Sequence, residues 1–296
     1  MKLGTSTEIL GRRFGEEKAI QLLAQAGFDG VDWDFSGMEK DDNPWNQDNW
    51  RDRAAQMKAL ATENGIEILQ AHAPYPTSKG IDPYDTVVKE RIIRSMEAAS
   101  IMGAKHIIVH PMKHLNYVKY RQLMFEKNVE LYQQLIPYCE KWKIRVCAEN
   151  MFERDNQRNM IVNSGCGMPE EFCALLDVLN SPWIVGCLDI GHAALVGVDP
   201  ADAIRMLGRE RLRALHVHDV DYLTDGHTIP FMEKLDWGSI TSALAEIGYE
   251  GDFVFEADKF LIGFPKELCM DASTLMEKTG RYLIQEIKKS ISTRIN

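Results

Sequence analysis

The chain has 296 residues, of which 45% are hydrophobic and 26% are charged, and this composition excludes an intrinsically disordered protein. Its formal net charge of −10 argues against a surface that binds nucleic acid over its whole extent, because phosphate affinity depends on clustered lysine and arginine. No apolar run approaches the ~20 residues that cross a bilayer, and the N-terminal segment lacks the features of a signal peptide, so a cytoplasmic protein without a membrane partner is expected.

A unit of one strand and one helix repeats along the chain. The apolar runs predicted to be strands lie near residues 2–6, 29–34, 66–72, 105–110, 144–149, 184–189, 212–218 and 252–256. The helical stretches that follow them lie near residues 16–26, 48–64, 84–102, 119–142, 169–180, 200–208, 237–247 and 266–289. Asp199 and Asp236 are predicted helix N-caps, and Gly27 and Gly103 are predicted helix ends.

Eight such units without a break in composition predict a single domain over residues 1–296. The predicted fold class is α/β, in the form of one closed parallel (β/α)8 TIM barrel. A doubly wound open sheet is the structural alternative, but that fold concentrates its ligand contacts at one switch point. Here polar residues stand at the carboxyl ends of six or seven predicted strands.

Four of these strand ends carry groups that bind metals. They are Glu149, Asp189, His218 and Glu256. A charged group or an imidazole at the end of an apolar strand is costly to bury unless something pairs with it, and one divalent cation can pair with all four. Because the carboxyl ends of barrel strands converge on one face, the sequence predicts a single metal site there. Oxygen and nitrogen ligands suit Mn, Mg, Co or Zn.

The histidines of the chain concentrate at the same predicted face. His216 and His218 share one side of their strand, and we choose His218 as the ligand because it lies nearer the carboxyl end, with His216 deeper in the barrel. Four further histidines end strands or follow them closely and are predicted to contact the substrate: His72, His110, His192 and His227. Five histidines directed into one pocket make independent structural roles a poor explanation.

Two glutamates are candidate catalytic groups. Glu149 and Glu256 leave strands on opposite sides of the barrel mouth, where they can serve as base and acid on the two faces of one carbon. The alternative is that both are only metal ligands. Trp33, in an aromatic segment, is a candidate for stacking on a sugar, with packing beneath a lid as its alternative role.

At these motifs the chain resembles the xylose isomerase-like superfamily of barrels, which includes sugar isomerases and epimerases, inosose-processing enzymes and AP endonucleases of the endonuclease IV type. The motifs are HAPY, AEN, LDIGH, HVHD followed by DGH, and the glutamate of the last strand. The resemblance implies a divalent metal held by Glu149, Asp189, His218 and Glu256. It also implies that the two glutamates shuttle a proton through a metal-stabilised enediolate while His192 holds a substrate oxygen.

The predicted function is therefore a metal-dependent isomerase or epimerase of a sugar, sugar acid or cyclitol, with one divalent ion such as manganese. The rival is an endonuclease IV-like zinc phosphodiesterase on abasic DNA, since His72, His110, Asp225 and His227 occupy matching motifs. The negative charge argues against this rival. A third alternative is a subunit of a sugar-derivative lyase or dehydratase, or a non-catalytic barrel.

One departure from the family limits the substrate. Ketose 3-epimerases carry an arginine six residues beyond the metal histidine, where this chain has Thr224. The resemblance therefore does not extend to free ketohexoses in particular. The expected partner is a small sugar or cyclitol substrate, and the presence of a homo-oligomer is left open.

Overall fold

The chain closes into a ring of parallel strands in the computed structural model, which describes residues 1–295. In chain order the strands are β1 (Leu3–Ser6), β2 (Gly30–Asp34), β3 (Glu67–His72), β4 (His106–Ile108), β5 (Arg145–Glu149), β6 (Phe152–Asp155), β7 (Met160–Asn163), β8 (Ile184–Asp189), β9 (Leu212–His216) and β10 (Phe253–Phe255). All but β6 and β7 form one sheet in the order β10-β1-β2-β3-β4-β5-β8-β9. Val217 closes the ring, since its N–H donates to the Val254 carbonyl oxygen at 2.9 Å. The predicted (β/α)8 TIM barrel is confirmed.

Helices surround this ring. They are α1 (Glu8–Phe14), α2 (Glu16–Ala26), α3 (Trp50–Glu63), α4 (Tyr84–Met102), α5 (Tyr117–Trp142), α6 (Pro169–Leu179), α7 (Ile190–Leu195), α8 (Pro200–Arg211), α9 (Trp237–Glu246), α10 (Asp258–Ile262) and α11 (Cys269–Ile295). The predicted caps are confirmed, because Asp199 accepts from the N–H groups of Ala201 and Asp202, and Asp236 accepts from that of Ser239. None of the described helices combines the length and the apolar character that crossing a membrane requires.

The sequence prediction missed the short elements that follow strands. These are α1, α7, α10 and the antiparallel hairpin of β6 and β7. The three helices have at most seven residues each, which is too short for a helical period to be recognised in the sequence. The two hairpin strands have four residues each, which is too short for a clear strand alternation. All of them lie between the carboxyl end of a barrel strand and the next long helix, where they shape the active face.

Side chains at alternate positions of a strand share one face, and on the inner face of the barrel they form first an apolar layer and then the site. Five buried apolar residues lie below the site and form a cluster of their own: Ile108, Cys147, Val185, Cys187 and Ala214. Two positions further along their strands, on the same face, stand Glu149, Asp189 and His216. The barrel interior therefore changes from apolar to charged within one step of the strand repeat.

Two helical glycines give a stability test of the outer packing. A Cβ on Gly280 would lie 2.4 Å from Leu3 Cδ1 and 2.8 Å from Phe255 Cε2, so α11 packs on the barrel only without a side chain there. A Cβ on Gly11 would meet no atom within 4 Å. We expect Gly280→Ala to lower the free energy of unfolding by about 1–3 kcal/mol. Gly11→Ala is expected to raise it by up to about 1 kcal/mol, because alanine favours the helix.

Urea denaturation of the two variants and the unmodified chain measures both changes. Equal changes in the free energy of unfolding, in the same direction for both variants, would contradict the close packing of α11 on the barrel at Gly280.

Candidate metal and active site

Two carboxylates and one imidazole meet at the carboxyl end of the barrel interior. Glu149 Oε1 lies 3.0 Å from His216 Nδ1, and Glu256 Oε2 lies 3.1 Å from the same nitrogen. Asp189 joins them, so that one donor atom from each of the four residues lies within 4.8 Å of the other three. Glu149, Asp189 and His216 are completely buried, and the Glu256 side chain is 17% exposed. Three oxygens and one nitrogen in this arrangement are a donor set that suits a divalent cation.

The hydrogen bonding of this group supports the same interpretation. Oε2 of Glu149 and Oε2 of Glu256 are buried and make no hydrogen bond of good geometry with the described residues, although histidine nitrogens lie 2.9 Å and 3.1 Å away. A buried carboxylate oxygen that lacks a hydrogen bond is costly. The residues therefore fit an ion, which would satisfy both oxygens at once.

A carboxylate stands behind the imidazole of His216. Its Nε2 lies 3.5 Å from Asp32 Oδ2, which is also 3.0 Å from His72 Nδ1 and accepts a hydrogen bond from Gln70 Nε2 at 2.8 Å. Burial alone would raise the pKa of Asp32, but His72 and His216 lower it to about 2. Metal-binding histidines commonly present their second nitrogen to such a carboxylate.

The structure groups His216, and not His218, with the three acidic residues. The register between β8 and β9 pairs Asp189 with His216, so these two side chains stand at the same height in the barrel. His218 lies beyond the end of β9, with its Nε2 at 2.9 Å from Asp189 Oδ1. Alternation along the strand places both histidines on one face, but only the register fixes which of them is level with the carboxylates. The geometry thus differs from the sequence-based choice of His218.

His218 also forms part of a second cluster of possible ligands. Its ring stacks on that of His227, with centroids 4.3 Å apart and planes 4° apart. A Cβ on Gly191 would lie 2.1 Å from His218 Cε1, which explains the glycine of the LDIGH motif. His192 and Asp225 complete the cluster, and His227 Nε2 lies 2.9 Å from Asp225 Oδ2. Burial alone would lower the pKa of His227, but its hydrogen bond with Asp225 and the carboxylate of Glu256 raise it to about 10.

A third cluster shares Glu149 with the first. His110 Nε2 lies 2.9 Å from Glu149 Oε2, and His72 Nε2 lies 3.6 Å from Glu256 Oε1. His72, His110 and Glu149 bring three donor atoms within 4.8 Å of one another. The structure therefore assembles all four histidines that the sequence directed to the pocket, and it adds His216. Their role as substrate contacts stays a prediction.

Trp33 does not reach this pocket. It alternates with Asp32 on β2 and so faces the opposite side of the sheet. Its ring is completely buried, 5.7 Å from the ring of Trp45 and 6.4 Å from that of Phe35. This packing is consistent with the alternative that the sequence left open, in which Trp33 packs beneath a lid. None of these contacts supports stacking of Trp33 on a sugar.

A buried aspartate that the sequence analysis overlooked organises the loop after β9. The carboxylate of Asp219 accepts hydrogen bonds from five donors, namely the backbone N–H groups of Val220, Phe231, Glu233 and Leu235 and the indole Nε1 of Trp237. The loop that it holds carries Asp225 and His227. In the sequence Asp219 is visible only as the last residue of the HVHD motif. Its role as an acceptor is hidden there, because four of its five donors lie 12 to 18 residues away.

Asp219→Ala is expected to lower the free energy of unfolding by about 3 kcal/mol or more, because five donors lose a buried charged acceptor. Asp221→Ala is the matched control from the same loop. Asp221 accepts from the N–H groups of Leu223 and Thr224 at the surface, so its loss should cost less than about 1 kcal/mol. Thermal unfolding of both variants measures the difference, and equal losses would contradict the organising role of Asp219.

A cavity of about 350 Å³ opens beside these clusters. His72, His110 and Glu256 line its inner end, and Tyr75, Glu8 and Asp34 are among the residues of its walls. This volume lies at the lower end of the range of roughly 300–1,000 Å³ typical of small-molecule sites. A small substrate therefore has access to the candidate ligands from the side of β1 and β2.

The chain is similar to known proteins over most of its length. The family model described as xylose isomerase-like TIM barrel matches residues 20–273. A 2-epi-5-epi-valiolone 7-phosphate 2-epimerase from Actinoplanes sp. is 24% identical over 249 residues, which cover 74% of this chain and 87% of the relative.

Two solved structures show how far the likeness in fold extends. A D-tagatose 3-epimerase-like protein is 18% identical with a TM-score of 0.74, and the match covers 100% of both chains. D-psicose 3-epimerase from Clostridium cellulolyticum H10, solved with D-tagatose, is 17% identical with a TM-score of 0.75 and coverage of 96% and 99%. Both neighbours share the barrel over nearly the whole length of this chain.

Proposed function

We propose, because the chain belongs to the xylose isomerase-like TIM barrel family, that it is a divalent-metal-dependent isomerase or epimerase of a sugar, sugar acid or cyclitol. One observation carries the proposal, namely the convergence of Glu149, Asp189, His216 and Glu256 on one point at the barrel mouth. The epimerases among its structural neighbours and relatives support the same reaction class.

The four converging residues would hold the ion, with Mn, Mg, Co or Zn as the candidates. When bound, the ion supplies Lewis acidity, which polarises a substrate carbonyl and makes the neighbouring C–H bond acidic near neutral pH. In this proposal His216 is the histidine ligand in place of His218. His218 then steadies Asp189 through its 2.9 Å contact, and Asp32 steadies His216 from behind.

Glu149 and Glu256 move the proton. One carboxylate removes the proton next to the carbonyl, and the electron pair of the broken C–H bond passes to the carbonyl oxygen to give an enediolate. The other carboxyl returns a proton to the opposite face of the same carbon in an epimerase, or to the neighbouring carbon in an isomerase. Burial alone would raise the pKa of Glu256, but His216 and its neighbours lower it to about 2. Histidines likewise hold the pKa of Glu149 well below its usual range, so both groups start as carboxylates. The second carboxylate therefore takes up a proton from solvent in the adjoining cavity before it returns that proton to carbon.

Replacement of either glutamate tests this step. We expect Glu149→Gln and Glu256→Gln each to slow exchange of a carbon-bound substrate proton with solvent by about 10²–10⁴-fold, the usual contribution of a general acid or base. The measurement is deuterium uptake into a panel of ketohexoses and inososes in deuterated water with added Mn²⁺. Circular dichroism of the variants controls for folding, and unchanged exchange in either one contradicts the two-carboxylate mechanism.

A pair of histidine variants tests the ligand assignment. His216→Asn is expected to lose bound Mn²⁺ during gel filtration, whereas His218→Asn should keep it with affinity weakened by about 10–100-fold, as for other residues that orient a ligand. Metal content by mass spectrometry and Mn²⁺ titration followed by electron paramagnetic resonance give the two readouts. The opposite order would restore His218 as the ligand.

A second candidate function is a zinc phosphodiesterase that acts on abasic DNA. The observation in its favour is the presence of two further donor clusters beside the first, one with His72 and His110 and one with Asp225 and His227. The net charge of −10 and the carboxylate of Glu8 in the adjacent cavity oppose it, because both repel a phosphate backbone. Zinc bound in all three clusters together with cleavage of an abasic duplex would favour this function; one ion per chain would exclude it.

A further inference from the structure

A second cavity continues the first one away from the candidate ligands. It measures about 600 Å³ and shares five lining residues with the inner cavity: Glu8, Arg12, Asp34, Gly37 and Lys40. Beyond them its walls come from Gly11 on α1 and from Asn43 and Trp45 in the segment after β2. We call this second cavity the outer groove. Because the same five residues line both spaces, the two cavities adjoin, and together they extend from His72 and Glu256 to Trp45.

The size of this depression exceeds that of a site for one small ring. The inner cavity alone, at about 350 Å³, lies near the lower limit of roughly 300 Å³ for ligand sites. The outer groove adds a space of about 600 Å³. The inner cavity has open polar positions, among them His72 Nε2, which has no hydrogen-bond partner among the described residues although the residue is only 8% exposed. A ligand that meets His72 can therefore extend a second unit into the outer groove.

The polar groups of the shared wall select the chemistry of that second unit. Glu8 pairs with Arg12 at 2.5 Å, and Asp34 accepts from the backbone N–H of Ser36 at 2.7 Å, which leaves further acceptor positions on both carboxylates. Burial and the nearby charge of Asp34 raise the pKa of Glu8, so this wall already carries mutual repulsion. Hydroxyl groups donate to carboxylates, whereas a phosphate adds negative charge. Over the whole outer groove, four carboxylates (Glu8, Glu16, Asp34 and Asp42) outnumber the two cations, Arg12 and Lys40, so the groove favours a neutral, hydroxyl-rich group over a phosphate.

We propose that the outer groove binds a second sugar unit, so that the substrate is a glycoside or disaccharide. The reacting ring lies at the candidate ligands, and the neutral partner ring lies along α1 and the segment after β2. This inference rests on the proposed isomerase or epimerase function and adds a substrate class to it. It also sets the substrate apart from phosphorylated monosaccharides.

Sugars that share one reacting unit and differ only in its extension test the proposal. The set is D-fructose, its glucosyl derivatives turanose, leucrose and isomaltulose, and D-fructose 6-phosphate, each assayed for deuterium uptake with the Mn²⁺-loaded enzyme. We expect the best glucosyl-fructose to exceed fructose in kcat/KM on the order of tenfold, which corresponds to roughly 1.4 kcal/mol of added binding. Fructose 6-phosphate should fall below fructose. Free fructose or the phosphate as the best substrate overturns the proposal.

A substitution in the outer groove tests the location. Gly11 lines the groove on α1, and a side chain there meets no other atom within 4 Å of its Cβ, so Gly11→Trp fills the groove without a clash at its base. We expect Gly11→Trp to lower the ratio of kcat/KM for the best glucosyl-fructose to that for fructose on the order of tenfold. Gly11→Ala is the matched control and should leave the ratio unchanged. A ratio that is the same in both variants contradicts the groove as the binding site.

Failure of the outer groove and failure of the proposed function give different experimental results. Exchange with fructose that is not improved by any glucosyl extension contradicts only the outer groove. If no sugar or inosose exchanges a carbon-bound proton with the unmodified, Mn²⁺-loaded enzyme, the isomerase or epimerase function itself is contradicted, and the glycoside proposal with it.

Discussion

The contact of two carboxylates, one buried and one 17% exposed, with one imidazole is the constraint on which the site depends. Glu149 and Glu256 approach the same nitrogen of His216 at 3.0 Å and 3.1 Å inside a barrel whose lower interior is apolar. Charges in such a place are stable only with opposite charge beside them. Histidines supply part of it, and the proposed ion would complete it. The ring of strands is what forces these groups together, because its closure directs side chains from different strands to one end.

The candidate ligands and the walls of the adjoining cavity lie on opposite sides of the barrel. Strands β5 to β10 carry the proposed ligands and proton-transfer groups, and the loop held by Asp219 adds Asp225 and His227. The opposite side, from β1 and α1 to the segment after β2, carries the cavity walls with Glu8 and Asp34. Under the proposed function, the reaction and the choice of substrate depend on different parts of the chain. We then expect changes in α1 to alter specificity while the proposed ligand set stays intact.

The sequence predicted the barrel well because each strand is a short apolar run bounded by glycine or a helix cap, and such signals are local. It also predicted Glu149, Asp189 and Glu256 as neighbours, since all three stand at strand ends. The choice between His216 and His218 was beyond it. The period of two tells which face a side chain takes, but its height in the barrel depends on the register with the adjacent strand.

Two other features were hidden from the sequence for related reasons. An aromatic residue at a strand end suggests sugar stacking, yet Trp33 takes the outer face of β2, and its burial against Trp45 follows from packing that the pattern does not contain. Asp219 gains its donors from residues distant along the chain, so no local pattern marks it. Long-range contacts decided both cases, whereas local propensity decided the strands and helices.

The ion itself gives the most direct test of the account. Crystals grown with Mn²⁺ and measured at the manganese absorption edge would show each bound ion as an anomalous peak. We predict a peak among Glu149, Asp189, His216 and Glu256, at about 2.0–2.2 Å from the donor atoms, as is usual for divalent ions of this size. A peak confined to His192, Asp225 and His227, or no peak at full Mn²⁺ loading, would contradict it.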